Sequence, residues 1–218
     1  MARIAEGRRT AEPSSPDQHA RQLRILQAAE QLGSESDLDH VQMHEVAKRA
    51  GVAIGTLYRY FPSKTHLFVG VMANQTTRMG QALAERVPTS ADPADQVFDV
   101  LVRANRALLS RPHLTNTMMQ SATVANAATV TDVATIDNTM RDLLLTVAGI
   151  DRPTEEDLAV MRVLLQAWGG ILQSSLNGRL SMADAEGDLR LACSMMIART
   201  SAADLRPRDA GNGVPVRD

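Results

Sequence analysis

The sequence predicts an all-α fold of about nine helices. Apolar residues recur at intervals of three and four along most of the 218 residues, which is the spacing of one face of a helix. No run alternates apolar and polar residues for long enough to form a strand. Proline, glycine and capping residues divide the chain into segments of helical length. The predicted helices span about 17–33, 43–50, 53–60, 64–87, 93–110, 112 onward, 132–148, 153–177 and 182–200.

The first three predicted helices are short and follow each other closely. Asp17 is a good N-cap for the first helix, and Gly33 is a good C-terminal stop for it. Gly51 ends the second helix, because glycine takes a positive φ without strain. Pro62 ends the third helix after about two turns, and Ser63 caps the helix that follows.

The later helices are longer, and prolines mark where several of them begin. Pro88 and Pro93 bracket a loop between the fourth and fifth helices, and Pro112 begins the sixth. The run Pro153-Thr154-Glu155-Glu156 opens the eighth helix, which is predicted to extend to about Asn177. Gly178 follows that helix as a suitable C′ residue. The chain therefore divides near residues 62–64 into a part with short helices and a part with long ones.

The composition indicates a globular protein of the cytoplasm. Apolar residues make up 44% of the chain, which is a globular share. The only cysteine, Cys193, excludes an internal disulfide and favours a reducing compartment. We expect it to be a small buried residue. The N-terminus has no apolar core of signal-peptide length, and no uncharged run has the length and composition of a membrane span.

The charge is unevenly distributed along the chain, whose net charge is −2. Residues 41–66 carry four Lys or Arg side chains and one Glu, a local charge of +3. Residues 67–218 carry 14 Lys or Arg and 17 Asp or Glu, a net charge of −3. A small basic segment on an acidic chain suggests one face that meets an anion.

Both ends of the chain are predicted to be disordered. Residues 1–17 combine Arg3, Arg8 and Arg9 with prolines and serines, and we interpret them as a disordered arm. Residues 201–218 are interpreted as a disordered tail. The arginines of the arm either lie in solvent or enter the minor groove of a nucleic acid beside the main site.

Residues 46–68, VAKRAGVAIGTLYRYFPSKTHLF, contain two of the three Phe and both Tyr of the chain. Two short helices joined by a tight glycine turn are typical of a helix-turn-helix, whose second helix lies in the DNA major groove. Leu57 and Phe61, at i and i+4, lie on the second helix of this motif, which is the third predicted helix of the chain. They are expected to pack it onto the first and second predicted helices. Tyr58, Tyr60 and Lys64 are then expected to face DNA, because hydroxyl and ammonium groups bond phosphate oxygens.

Residues 55–64, GTLYRYFPSK, resemble the helix-turn-helix signature of TetR-type transcriptional repressors, and the likeness is strong over about residues 20–70. The resemblance implies a DNA-binding domain at 18–64, which we call the head. It implies a ligand-binding and dimerisation domain at 65–200, which we call the body, and a homodimer formed mainly by the last two helices. The implied DNA-binding residues are Gln42, His44, Ala53, Ile54, Gly55, Thr56, Tyr58, Tyr60 and Lys64. The resemblance implies that residues 54–56 reach the DNA groove. It also implies that Tyr58, Tyr60 and Lys64 touch phosphates.

The sequence departs from the usual pattern of this family in three places. Ala53 stands where a serine often caps the recognition helix, so a cap that contributes about 1 kcal/mol is missing. Asp37 and Leu38 replace a glycine-aromatic pair, and Gln42 replaces a Ser or Thr cap. These departures affect the predicted stability of the head and the helix starts.

A narrower resemblance suggests what the body binds. Residues 41–68, together with RPHLTNTMMQSATVANAATV at 111–130, are similar to actinobacterial TetR-type repressors of sterol catabolism. Those repressors are released from DNA by CoA thioesters of sterol intermediates. The resemblance implies a large apolar effector with an anionic nucleotide part, and genes of lipid or steroid catabolism as the target.

The body is rich in methionine, which fills irregular or adaptable apolar space. Together with aromatic and leucine side chains, these residues suit an apolar pocket between helices. The candidate pocket residues are Phe98, Leu101, Met118, Met119, Met140, Met161, Leu165 and Trp168. Gly169 and Gly170 lie inside a long helix at a cost of about 1 kcal/mol each relative to alanine. This suggests a close approach, either at a dimer interface or at a ligand.

Other classes of function find little support in the sequence. His40 and His44 have a spacing that can hold a metal on a helix, but His40 precedes the helix and no third ligand is near in the sequence. No hydrolase elbow, phosphate loop or dinucleotide motif is present. We therefore predict neither an enzyme nor a cofactor or metal site. A DNA-binding protein regulated by a protein partner, or an activator without a small effector, remains the alternative.

Overall fold

A computed structural model of the protein describes residues 14–84, 90–126 and 129–202. Within these ranges the chain forms nine α-helices and no strand, so the all-α prediction is confirmed. The helices are α1 (Pro16–Glu35), α2 (Met43–Arg49), α3 (Ile54–Tyr60), α4 (Lys64–Ala84), α5 (Pro93–Leu109), α6 (Pro112–Val124), α7 (Asp132–Val147), α8 (Glu155–Leu176) and α9 (Met182–Ile197).

The head is built on one apolar core, formed by the inner faces of α1, α2 and α3 with the start of α4 and part of α6. Its largest fully buried side chains include Ile25, Leu57, Phe61, Leu67 and Phe68. Helix α1 packs against α2, α4 and α6, and α2 packs against α3. The two short helices are therefore held by tertiary packing, which short helices need because they are marginal in isolation.

The start and end of α1 differ from the sequence prediction. Ser15, not Asp17, is the N-cap, and its hydroxyl accepts a hydrogen bond from the N–H of Gln18 at 3.3 Å. Residues 14–17 are thus ordered, and the prediction that they belong to a disordered arm is wrong. Residues 1–13 of the arm lie outside the described residues.

Gly33 does not end α1, which continues to Glu35. A Cβ at Gly33 would lie 2.8 Å from Cε1 of Phe68. The glycine therefore permits a close approach between α1 and α4, and its interpretation as a stop signal is wrong. Gly51 does follow α2 with φ of 66°, as predicted for a helix terminator.

Helix α4 begins where the sequence predicts. The Ser63 hydroxyl accepts a hydrogen bond from the N–H of His66 at 3.3 Å, so Ser63 caps this helix. The helix is described to Ala84, and the predicted end at Val87 lies outside the described residues.

The body packs around α4, α5 and α8. Helix α4 lies along α6 and α7, α5 packs against α9, and α8 packs against α9. A second apolar core joins α5, α7, α8 and α9 and contains the buried Cys193. Burial raises the pKa of the Cys193 thiol to about 12, so this thiol is protonated and unreactive at neutral pH.

Asp157 joins the start of α8 to the segment that follows α9. Thr154 caps α8, and its N–H and hydroxyl donate to the Asp157 carboxylate at 2.8 Å each. The N–H of Ser201, just beyond α9, donates to the other carboxylate oxygen at 2.8 Å. Ser201 and the buried Ala202 are therefore ordered, so the predicted tail begins later than residue 201. Residues 203–218 are not among those described.

Candidate nucleic-acid interface

Helix α3 has one buried and one exposed face. Leu57 and Phe61, on the inner face, are fully buried in the head core, as the sequence predicts. Tyr58 points away from that core, and 42% of its surface is exposed. Arg59 is also exposed, and its guanidinium carbon lies 5.4 Å from the ring centroid of Tyr60. The exposed face of α3 therefore presents a phenol and a cation.

Tyr60 is buried, so the expectation that it faces DNA beside Tyr58 is wrong. Only 2% of its surface is exposed, and its hydroxyl lies 3.5 Å from the carbonyl oxygen of Gln18 in α1. The reason is helical geometry: Tyr60 is three residues after Leu57 and shares its face, whereas residues two apart point in different directions. Tyr60 thus packs α3 against α1.

The N-terminal end of α3 is exposed. Ala53, Ile54 and Gly55 lie at the surface and Thr56 is half-buried; 42% of the Ile54 surface is exposed. As the sequence predicts, Ala53 provides no side-chain cap. A Cβ at Gly55 would meet no atom within 4 Å in the part of the chain that the structure describes. Packing within the chain therefore does not require glycine at this position.

Helix α2 borders the same surface. Gln42 and His44 are exposed, as is Lys48. Arg49 instead pairs with Glu35 of α1 at 2.7 Å, and this pair raises the pKa of Arg49. Lys48 and Arg59 are exposed cations that the sequence prediction left out of the candidate site. Their signal was available, because each lies between buried positions of a short helix and must point outward.

Lys64 at the start of α4 is bonded to the loop between α1 and α2. Its ammonium donates to the carbonyl oxygen of Leu38 at 2.7 Å and lies 3.5 Å from that of Asp39. An ammonium has three donors, so one remains for a phosphate oxygen. Lys64 thus connects α4 to the α1–α2 loop, a role in addition to the predicted phosphate contact.

Most predicted pocket residues lie together in the body core. Phe98, Leu101, Met140 and Met161 are buried there, with Leu165 and Trp168 packed against them. Arg190 of α9 covers Phe98, with its guanidinium carbon 3.9 Å from the ring centroid.

Met118 is not part of this group. It is buried in the head core, because α6 turns its Leu114 and Met118 face toward α1 and α4. Met119 is half-buried and belongs to neither core. These two methionines therefore do not join the predicted pocket.

The glycine pair of α8 faces away from the chain. Gly170 is exposed and Gly169 half-buried, and a Cβ at either position would meet no atom of the described residues within 4 Å. The large apolar side chains of Val163 on α8, and of Leu191 and Met195 on α9, are more than half exposed, at 53%, 58% and 64%. The α8–α9 pair thus carries an uncovered apolar surface beside these glycines.

Among the described residues, the histidines are not gathered into a group suited to metal binding. In the described part of the chain, no group of three or more His, Cys, Asp or Glu side chains is placed to hold a metal ion. His40 and His44 are exposed, and His113 lies 3.0 Å from Asp37. Among the described helices, none combines the length and the hydropathy of a membrane span.

Two family models match the chain in the same two parts. Residues 25–71 match the model described as bacterial regulatory proteins, tetR family, and residues 91–196 match the tetracyclin repressor-like C-terminal domain. The first match covers most of the head, including α2, α3 and the start of α4. The second runs from just before α5 almost to the end of α9.

Similar proteins cover nearly the whole chain. The HTH-type transcriptional repressor KstR of Rhodococcus jostii is 35% identical over 184 residues, which are 84% of this chain and 86% of that protein. KstR of Mycobacterium tuberculosis is 31% identical over 193 residues, 88% of each chain. A crystal structure of a TetR transcriptional regulator from Rhodococcus sp. RHA1 is 54% identical, covers 83% of this chain and 97% of its own, and superposes with a TM-score of 0.79.

Proposed function

This chain belongs to the TetR family of bacterial regulatory proteins, and on that premise we propose that it is a homodimeric repressor released from palindromic operator DNA by a small apolar effector. The family consists of DNA-binding regulators, so the chain is not an enzyme. The proposal rests on the exposed N-terminal end of α3, which the buried Leu57, Tyr60 and Phe61 hold in place. The place of action is the cytoplasm, where bacterial operators lie.

The proposed DNA contacts divide into base readout and phosphate binding. Helix α3 enters the major groove with Ile54, Gly55 and Thr56 toward the bases. Ile54 and Gly55 have no polar side-chain atoms, so direct readout depends on Thr56 and on apolar contact with thymine methyl groups. Gly55 lets the helix backbone approach the DNA closely, which agrees with the open space around it.

Phosphate contacts come from side chains around α3. Tyr58 and Lys64 keep the role that the family resemblance implies, and the exposed Lys48 and Arg59 join them. His44 lies one turn before Lys48 on the same side of α2, Gln42 is the exposed N-cap of that helix, and both serve as further polar contacts. Such contacts position the protein and carry no sequence information.

The proposed dimer forms through α8 and α9. Val163, Leu191 and Met195 are apolar side chains that a second copy would cover. Gly169 and Gly170 let two α8 helices approach closely, since neither glycine has a neighbour in its own chain that requires it. In such a dimer, the two α3 helices must lie about 34–36 Å apart to enter successive major grooves.

The proposed effector binds in the body core around Leu101, Met140, Met161 and Trp168. Methionines adapt to an incoming apolar group. The sequence resemblance to sterol-catabolism repressors, and the KstR repressors among the relatives, favour a sterol-derived CoA thioester. On that basis the target genes are those of lipid or steroid catabolism.

Helix α4 is the proposed link between effector and DNA. Lys64 at its start binds the α1–α2 loop, and the rest of the helix packs along α6 and α7. Close packing makes the link stiff, since a Cβ at Gly70 would lie 2.8 Å from Cε1 of Phe61. An effector releases DNA only if it binds better to the head spacing that does not fit the operator.

The test is binding of the purified protein to its own promoter DNA, measured by fluorescence anisotropy at two salt concentrations, with and without sterol-CoA thioesters. We expect tight, salt-dependent binding that the thioester relieves. Binding that no thioester changes would remove the sterol effector and favour the alternative of a protein partner or an activator. No binding at low salt would exclude the proposed interface.

A matched pair of variants locates the DNA surface in the same assay. Lys48→Gln removes an exposed cation of the head, and Arg179→Gln removes one from the loop between α8 and α9. Each phosphate contact contributes about 0.9 to the slope of log affinity against log salt. We expect Lys48→Gln to reduce that slope by about one and Arg179→Gln to leave it unchanged. Equal effects of the two would contradict the assignment of the surface.

A further inference from the structure

Five buried polar side-chain atoms find no hydrogen-bond partner among the described residues, and all five belong to the body. They are the amide oxygen and nitrogen of Asn105, the hydroxyls of Thr117 and Ser121, and the indole nitrogen of Trp168. Asn105 and Ser121 are fully buried, and Thr117 is 1% exposed. Buried polar atoms without a hydrogen-bond partner are unfavourable and rare in native proteins, so a site of this kind is expected to be satisfied by a ligand or by water.

The helices that carry these atoms meet in the body. Helices α5, α6 and α8 touch one another pairwise. Asn105 lies one turn beyond Leu101 on α5, and Leu101 shares an apolar cluster with Trp168 of α8. Thr117 and Ser121, four residues apart, share one face of α6. The unpartnered atoms thus lie on three helices that contact one another, and two of these helices, α5 and α8, carry apolar residues of the proposed effector site.

We propose that Asn105, Thr117, Ser121 and Trp168 form a polar recognition site for a hydroxyl or carbonyl oxygen on an otherwise apolar ligand. This inference rests on the proposed effector-binding function and specifies the chemistry that the effector must carry. The amide and the two hydroxyls both donate and accept, and the indole donates. Together they can donate several hydrogen bonds to a neutral ligand oxygen. Where that oxygen belongs to a hydroxyl, one of them can also accept a hydrogen bond from its proton.

The charge of the core restricts the ligand group to a neutral one. No Lys, Arg or His is among the buried polar residues of the described chain. An ionised group at this depth would have no opposite charge beside it, and burying an unpaired ion is very unfavourable. An anionic part of a larger effector therefore has to stay nearer to the surface, while the neutral oxygen occupies the polar recognition site.

Helix α6 offers an internal comparison for Thr117. Thr115, on the same helix and also 1% exposed, donates its hydroxyl to the carbonyl oxygen of Leu108 at 2.7 Å. The fold thus satisfies one buried threonine hydroxyl of α6 and leaves the other without a protein partner. The two residues are equal in type and burial and differ in hydrogen bonding.

The first experiment compares thermal unfolding of the full-length variants Thr117→Val and Thr115→Val. Valine has the shape of threonine without the hydroxyl. Thr117→Val should raise the Tm by about 2 °C, because it removes an unpaired polar group, and Thr115→Val should lower it by at least as much. A fall of Tm in Thr117→Val would show that its hydroxyl is already satisfied, for example by buried water, and would overturn the proposal.

The second experiment measures ligand preference through the fluorescence of Trp168, the only tryptophan of the chain. The probes are two pairs, cholesterol with 5α-cholestane and 1-dodecanol with dodecane, delivered in cyclodextrin. At least one alcohol should bind more than about tenfold tighter than its hydrocarbon, and Asn105→Leu should remove that preference. Equal binding within both pairs, or no binding of any probe, would overturn the polar recognition site.

Promoter binding measured with the same probes separates this inference from the proposed function. If alcohol and hydrocarbon release DNA equally well, effector control stands and the polar recognition site fails. If the alcohol is preferred in binding but leaves DNA affinity unchanged, the polar recognition site stands and effector control by this pocket fails.

Discussion

The head and the body differ in what they leave unsatisfied. In the described residues of the head, no buried side-chain polar atom lacks a partner, and its large exposed apolar side chains, Ile54 and Tyr58, lie on α3. The body holds all five unpartnered buried atoms and also exposes Val163, Leu191 and Met195. The described part of the head is therefore satisfied by its own side chains, whereas the body leaves groups that the proposed ligand and the proposed second copy would satisfy.

The largest expected effect tests the completeness of the head core. Phe61→Ala should lower the free energy of unfolding by about 3–5 kcal/mol, because the ring is fully buried and packs against Gly70. Tyr58→Ala, on the exposed face of the same region, should change it by less than about 0.5 kcal/mol. Urea unfolding followed by circular dichroism, at one protein concentration, gives both values. Similar losses in the two variants would contradict the assignment of faces in α3.

The next effect concerns Asp157, which stabilises the body through its ionised form. Burial raises the pKa of this carboxyl, but hydrogen bonds from the N–H and hydroxyl groups of Thr154 and Ser201 outweigh burial and hold it below its ordinary value. The folded-state pKa is therefore lower than the unfolded one. The stabilisation is complete above the ordinary pKa and disappears as the pH falls through the lowered value.

Replacing Asp157 by alanine should cost about 2–3 kcal/mol at pH 7, since buried donors lose a charged partner. Asp157→Asn should also flatten the fall of stability that the wild type shows as the pH drops below about 5. Asp137→Asn, on the exposed face of α7, is the control. Denaturant unfolding across this pH range is the measurement, and identical pH profiles for Asp157→Asn and wild type would refute the role of the carboxylate.

The two tyrosines of α3 sharpen the distinction between the inside and the outside of the head. Tyr58→Phe should weaken binding to promoter DNA by about fivefold, the equivalent of one hydrogen bond of about 1 kcal/mol, without changing sequence preference. Tyr60→Phe should leave DNA affinity unchanged, because its ring is buried and its hydroxyl faces Gln18. Anisotropy titrations on one promoter fragment and one scrambled fragment decide between them. A larger loss for Tyr60→Phe would restore the interpretation made from the sequence.

Local signals in the sequence were sufficient for much of the fold. Gly51, Pro62 and Ser63 mark helix ends correctly, because a positive φ, a missing N–H and a capping hydroxyl act within a few residues. Gly33 was misinterpreted because its function depends on Phe68, which belongs to another helix. The same sequence signal, a glycine after an apolar stripe, thus has two explanations. Gly51 follows a helix with a positive φ, whereas Gly33 makes room for a side chain of another helix.

The candidate site shows the same limit. The exposure of Tyr58 follows from the spacing of Leu57 and Phe61, whereas the burial of Tyr60 required attention to the i+3 position as well. Met118 looked equivalent to Met140 in the sequence, but α6 turns it toward the head. Asn105 gave no signal, since a buried amide becomes informative only when its missing partners are seen in three dimensions.

The smallest expected effect separates the outer surface of the body from its interior. Gly170→Ala should favour the α8 helix by about 1 kcal/mol in an isolated chain, because alanine is the better helix former and its Cβ meets no described atom within 4 Å. Where a second copy packs closely on Gly170, the same Cβ obstructs that packing and weakens the dimer. We therefore expect a higher fraction of monomer for Gly170→Ala by sedimentation equilibrium.

Gly80→Ala is the control for this prediction. A Cβ at Gly80 makes only an ordinary contact of 3.7 Å with Thr139 inside the chain. This variant should therefore stabilise the fold without changing the oligomeric state. If Gly170→Ala leaves the dimer unchanged, the glycine pair lies outside the interface. The exposed side chains of Val163, Leu191 and Met195 would then have to form the contact between the two copies away from the glycine pair.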